Sequence, residues 1–161
     1  MIKKEDFAVN AIFCLSFGKR DNGLGLSNEF LINKILEFYK NKPLPLIIQK
    51  DCADYLPKNI NVDKVISQHR IFGKYLDTSE VIRQCVKYCA DHGYKKVLVF
   101  AHPDHLKRVR KNLKHQGLEF EIADTILCPY DPKSSQWWTR NKIFFMLREV
   151  MVFFYDLIIK Q

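Results

Sequence analysis

The run Phe7–Phe17 is almost wholly apolar and stops at Gly18. A strand with one face in water alternates apolar and polar side chains. A continuous run belongs to a strand buried on both faces, inside a parallel sheet covered by helices. Val97–Ala101 has the same character. Between and after these runs the pattern alternates. Leu44–Gln49, Lys64–Ser67 and Leu118–Ala123 read as strands, and helical segments separate them. Ser27 is placed to cap a helix reaching Lys40, with Phe30, Leu31, Ile35, Phe38 and Tyr39 on its apolar side. A short loop or helical turn is expected over Asp51–Leu56. Asp77-Thr78-Ser79-Glu80 is a helix start, and Gly93 follows His92 as its stop. A helix entering at Pro103 ends at Gly117, and a long final helix spans about Gln136–Lys160.

These elements predict a three-layer α/β/α Rossmann-like domain over residues 1–161. Its mostly parallel sheet has about five strands, followed by the long C-terminal helix. A strand order 3-2-1-4-5 sets strands 1 and 4 side by side at the switch point, where ligands bind in open α/β sheets. The loops Ser16–Leu26 and Ala101–Asp104 then line one crevice. At 161 residues the chain is long enough for one real core, and no linker or repeat divides it.

The sharpest chemical signal lies after the fourth strand, in His102-Pro103-Asp104-His105-Leu106-Lys107-Arg108. With Pro103 opening the helix, His102 stands at the cap. His105 and Arg108 share a face at i,i+3. A helix N-terminus favours anions and disfavours imidazolium, so His105 tends toward neutral. Neutral imidazole beside guanidinium suits acid–base work on a phosphate or carboxylate ester. A purely structural role for both residues, capping and surface pairing, uses the same spacing.

The loop Lys19–Leu26 is rich in glycine and charge but is neither GxGxxG nor a P-loop. It reads equally as a ligand-approach loop or as plain surface. Trp137 and Trp138, after the fifth strand, could wall a pocket or pack the last helix. The helix 105–116 carries Lys107, Arg108, Arg110, Lys111 and Lys114 without an acid. It could meet nucleic-acid phosphates, but the solvent face of an amphipathic helix is the simpler explanation. Net charge is +8, which suits an anionic partner. A small anionic ligand is favoured over nucleic acid.

Cys14, Cys52, Cys85, Cys89 and Cys128 are odd in number and irregularly spaced, unlike a disulfide framework. Cys85 and Cys89 read as packing residues, and no metal site is expected. The first residues read as a strand rather than a signal peptide. The final apolar run is interrupted by Arg148, Glu149 and Asp156 and is short for a membrane span. A cytoplasmic monomer or homodimer is expected; one alternative to a ligand-binding domain is a non-catalytic interaction domain in which the final helix forms a dimer interface.

The strand followed by a small residue and HxxR resembles the YdcF/SanA/ElyC-like family of bacterial proteins. His105 and Arg108 fall on that family's histidine and arginine. Thr78 with Glu80 is similar to its NTxEN helix start, Asp77 replacing the asparagine. The strand running into Gly18, and Arg148-Glu149 in the last helix, also resemble it. Gln49-Lys50-Asp51 stands where the family has a Ser-Gly-Gly turn, and Phe72–Leu76 lacks its acid. The resemblance implies a Rossmann-like domain with cell-envelope associations. It also implies S-adenosylmethionine or a nucleotide as a cofactor to consider, while the HxxR at a strand end itself points to an anionic, nucleotide-like or phosphate-bearing ligand. His105 and Arg108 would carry any catalysis, as a small transferase or hydrolase. Ser16, Gly18, Lys19, Thr78, Glu80 and His102 would line the binding site.

Overall fold

A computed structural model describes residues 8–159, and side chains over 8–155. Five parallel strands form one sheet: β1 (Ala11–Cys14), β2 (Leu46–Gln49), β3 (Lys64–Ile66), β4 (Lys96–Phe100) and β5 (Glu119–Ile122). Their spatial order is β3-β2-β1-β4-β5. Ile12 stands opposite Leu46 on one side and Leu98 on the other. The chain is therefore an all-parallel, Rossmann-like α/β fold, with the switch point between β1 and β4 as the alternation predicts.

The continuous apolar runs serve both faces because side chains alternate along a strand. Ala11, Phe13, Val97 and Val99 point to one helical layer, α3 (Thr78–His92) and α4 (Leu106–Gln116). There they meet Val81, Ile82, Cys85, Val109 and Leu113. Ile12, Cys14, Leu98 and Phe100 point the other way, onto Leu31, Ile32 and Ile35 of α1 (Leu26–Asn41). A four-residue helix, α2 (Lys50–Ala53), follows β2.

Several helix ends obey their local chemistry. Asp77 Oδ1 accepts from the Glu80 amide at 2.8 Å, capping α3. Gly93 and Gly117 close α3 and α4 with φ of 72° and 75°, a left-handed stop that L side chains avoid. Pro103 opens a 3-10 turn, Pro103–His105, that feeds α4.

Other boundaries differ from expectation. Ser27 does not cap α1: Gly25 stands at the cap, and the Ser27 hydroxyl donates to the Pro129 carbonyl at 2.6 Å. The first strand is shorter than Phe7–Phe17. Leu15 still donates to the Phe100 carbonyl at 3.0 Å, but the Ser16 and Phe17 amides turn to the side chains of Gln49 and Asn28, and Phe7 lies outside the described residues. The final helix does not start at Gln136. A 3-10 turn, Trp137–Thr139, precedes α5 (Lys142–Ile159), which Asn141 caps by accepting from the Phe144 amide. The turn is held apart because Arg140 Nε donates to the Ser134 carbonyl at 2.8 Å. Lys160 lies outside the described residues. All five cysteines are buried and free. Among the described residues no helix is long and apolar enough to cross a membrane.

Candidate functional site at the carboxyl edge of the sheet

A cavity of about 270 Å³ opens at the carboxyl ends of the strands. Every strand feeds it. Ser16, Gly18 and Lys19 follow β1, Gln49 and Asp51 come from the end of β2, and Ser67 follows β3. His105 and Arg108 follow β4. Beyond β5 come Trp138 and Thr139, and α5 adds Phe145 and Arg148. Thr78, the first residue of α3, completes the wall.

His105 is held from two sides. Its Nε2 lies 3.3 Å from Thr78 Oγ1, a contact possible because Asp77 fixes the start of α3. Its Nδ1 is buried and has no hydrogen-bond partner among the described residues. Burial pushes the imidazole down to about 3, and the neighbouring Arg108, Arg148 and His102 push the same way. His105 is therefore neutral at pH 7, as its place at the helix start suggested, though burial is the larger cause.

Arg108 is not free. Its guanidinium Nη2 pairs with the Glu149 carboxylate, which also accepts from Arg148 Nη1 at 3.1 Å. One acid thus sits against two cavity guanidiniums. Arg148 also lies over the Trp138 ring, 5.3 Å from its centroid.

The loop after β1 is built more tightly than its glycines suggest. Gly18 has φ of 73°, and a Cβ there would fall 2.5 Å from Thr139 Oγ1 and 2.9 Å from Ser134 Oγ. Asn28 accepts from the Phe17 amide at 2.8 Å and donates to the Gly18 carbonyl at 2.9 Å. The Ser16 amide donates to Gln49 Oε1 at 2.9 Å. Those amides are committed inside the protein, so recognition at this site falls chiefly to side chains. Arg20 turns away from the cavity into a two-bond pair with buried Asp131.

Two expected ligand contacts lie elsewhere. Glu80 does not line the cavity: it is buried under Arg70 and Arg83 and binds both. The Arg70 hydrogen bond holds its carboxyl down at about 2, despite burial. His102 lies behind the cavity, stacked on Phe17 at 3.9 Å with Tyr130 edge-on. Its Nδ1 accepts from the Asp104 amide at 3.3 Å, capping the turn. Burial lowers it to about 4, against the opposing pull of Asp104 and the Cys128 backbone.

Trp138 joins the wall, whereas Trp137 packs edge-on against Trp138 and Phe144. Lys107, Arg110, Lys111 and Lys114 are exposed, while Val109 and Leu113 are buried beneath them. Among the described residues no cluster of three or more His, Cys, Asp or Glu side chains could hold a metal. Ser67, Thr139 and Phe145 were missed by sequence reasoning, and Gln49, Asp51 and Arg148 were noticed only at motif positions. No local signal marks them, because each reaches the site through chain topology. The chain matches no protein-family model and no curated protein sequence.

Proposed function

We propose that this cavity binds a small phosphate-bearing or otherwise anionic metabolite, of nucleotide-like size and shape. The observation that carries the reading is the convergence of Arg108 and Arg148, from separate elements, beside neutral His105 at the strand ends. Guanidinium forks match phosphate and carboxylate oxygens. Lys19 adds charge to the lining, and Trp138 adds aromatic surface beside Arg148 for a ring or sugar. Glu149 holds the two guanidiniums together until a ligand anion replaces it.

Such an anion cancels part of the positive field at His105, so the imidazole gains proton affinity in the complex. That places a proton donor or acceptor next to the ligand's charged group, as hydrolysis or group transfer requires. The likeness of the His105–Arg108 motif to the YdcF-like family supports a nucleotide-like ligand and an envelope-related role, with S-adenosylmethionine as the nucleoside compound whose net positive charge separates shape from charge recognition.

The test is thermal unfolding with adenosine monophosphate, S-adenosylmethionine, glucose 6-phosphate and inorganic phosphate. It compares wild type, His105→Ala and Arg148→Ala. A ligand at a hundredfold excess over Kd contributes about 2.7 kcal/mol, a rise of about 5–10 °C. Wild type should show that rise with at least one phosphate-bearing compound, and both variants should lose most of it; a rise with the net cationic S-adenosylmethionine alone would contradict an anion site. Equal shifts in all three proteins, or none in wild type, would overturn the proposal.

A further inference from the structure

We infer that the outer face of α5 is a dimer interface, and that its occupant is α5 of a second copy, packed antiparallel. The helix divides cleanly. Phe145, Arg148, Glu149 and Val152 recur at helical spacing and are its less exposed residues. Phe145 reaches Phe17, and Arg148 and Glu149 meet the cavity and Arg108. Directly opposite, Ile143, Leu147, Val150 and Phe154 form a seam of alternating four- and three-residue steps, 71%, 52%, 52% and 57% exposed. That is the spacing by which two helices interlock along their length. Met146 and Phe153 widen the seam on one side and are exposed as well.

The size of this surface argues for a partner. At roughly 100 Å² for each of these six exposed side chains, the seam and its margin offer roughly 600 Å² of apolar area. Monomers seldom leave so large a contiguous patch in water, whereas a standard interface takes about 800 Å² from each partner.

The chemistry selects the occupant. A helix lying on an anionic lipid surface keeps lysines and arginines on its polar face, free to reach headgroups. Here the polar face is turned inward, with Arg148 and Glu149 engaged at the cavity. The outward seam has no charge to match a charged partner. A second identical seam satisfies it fully, through a two-fold contact of the commonest kind. Antiparallel packing also sets each helix N-terminus beside its partner's C-terminus, where the helix dipoles attract. Because α5 supplies Arg148 to the cavity, the same contact steadies one wall of that site.

Sedimentation velocity of the full chain at micromolar concentration tests this. Wild type should run at twice its 19.1 kDa. The double variant Val150→Glu, Phe154→Glu should run as a monomer with unchanged far-ultraviolet circular dichroism. Phe72→Ser, at a fully exposed loop tip, should remain dimeric. A monomeric wild type contradicts the inference, including one that instead floats with anionic phosphatidylserine vesicles. So does a dimer that survives the double substitution, or a wild type found only in larger irregular species. None of these outcomes depends on the cavity's ligand, so ligand binding and self-association fail or succeed separately.

Discussion

His105 and His102 are neutral because the fold surrounds them before any ligand arrives. Burial lowers them to about 3 and about 4, from an ordinary value of 6.5. The unfolded chain therefore binds more protons at these sites once pH falls below that ordinary value. Stability drops with acidification, through the window between the unfolded and folded values. Each imidazole should cost about 1–2 kcal/mol between pH 7 and 5. Glu80 acts in the same direction at lower pH: its stabilisation is present above its ordinary 4.5 and is lost toward about 2. Urea unfolding at pH 7 and pH 5 should show this loss in wild type. It should be clearly smaller in His102→Gln, His105→Gln, whose side chains do not titrate. An equal pH dependence in both proteins would place the titration elsewhere. Glu149 gives a second prediction at this scale. Replacing it with glutamine removes the charge that competes for Arg108 and Arg148, so a phosphate-bearing ligand should bind about three- to tenfold more tightly by calorimetry. Weaker binding would mean that Glu149 chiefly orients the arginines.

At the level of elements, the structure separates signals that are local from signals that are not. Asp77, Gly93 and Gly117 act within a few residues of themselves, so α3 and the end of α4 were legible from their spacing. Pro103 likewise announced the turn after β4, though not its 3-10 geometry. Ser27 misled because its hydroxyl is drawn to Pro129, about a hundred residues away in the chain, while Gly25 takes the cap. The expected helix start at Gln136 misled because Arg140 and Ser134 hold the Trp137–Thr139 turn apart from α5. The loop after β1 carries the most exacting element-level constraint. Gly18 is left-handed, and a Cβ would strike Thr139 and Ser134. Gly18→Ala should cost about 1–2 kcal/mol from backbone strain alone, with the collision added. Thermal unfolding would register that as a drop of several degrees or more. A variant as stable as wild type would show that the loop and the Trp137–Thr139 turn are free to separate.

At the scale of the whole molecule, the strand order is what makes a site. Placing β1 beside β4 opens a crevice at the carboxyl edge, and α5 returns across that edge with Arg148, Phe145 and Glu149. His105, Arg108, Ser16, Gly18, Lys19 and Thr78 could be foreseen, because each stands at a strand end or helix start. Trp138 was foreseen as one of two possible pocket walls, whereas Arg148, Thr139 and Phe145 needed the tertiary path, since nothing in their own neighbourhoods points inward. Glu80 shares its segment with Thr78 but faces the opposite way, into Arg70 and Arg83. Two separated cationic surfaces result: the cavity with its two guanidiniums, and the exposed lysines and arginines of α4. They make different predictions for the histidines nearest to them, because His115 lies on α4 and His105 in the cavity. Histidine side-chain nitrogen resonances, followed by NMR during titration with adenosine monophosphate, therefore report directly on where the anion binds. Saturable movement of His105, with His115 unmoved, is the predicted result. Movement of His115 with His105 unchanged would contradict an anion site at the carboxyl edge of the sheet.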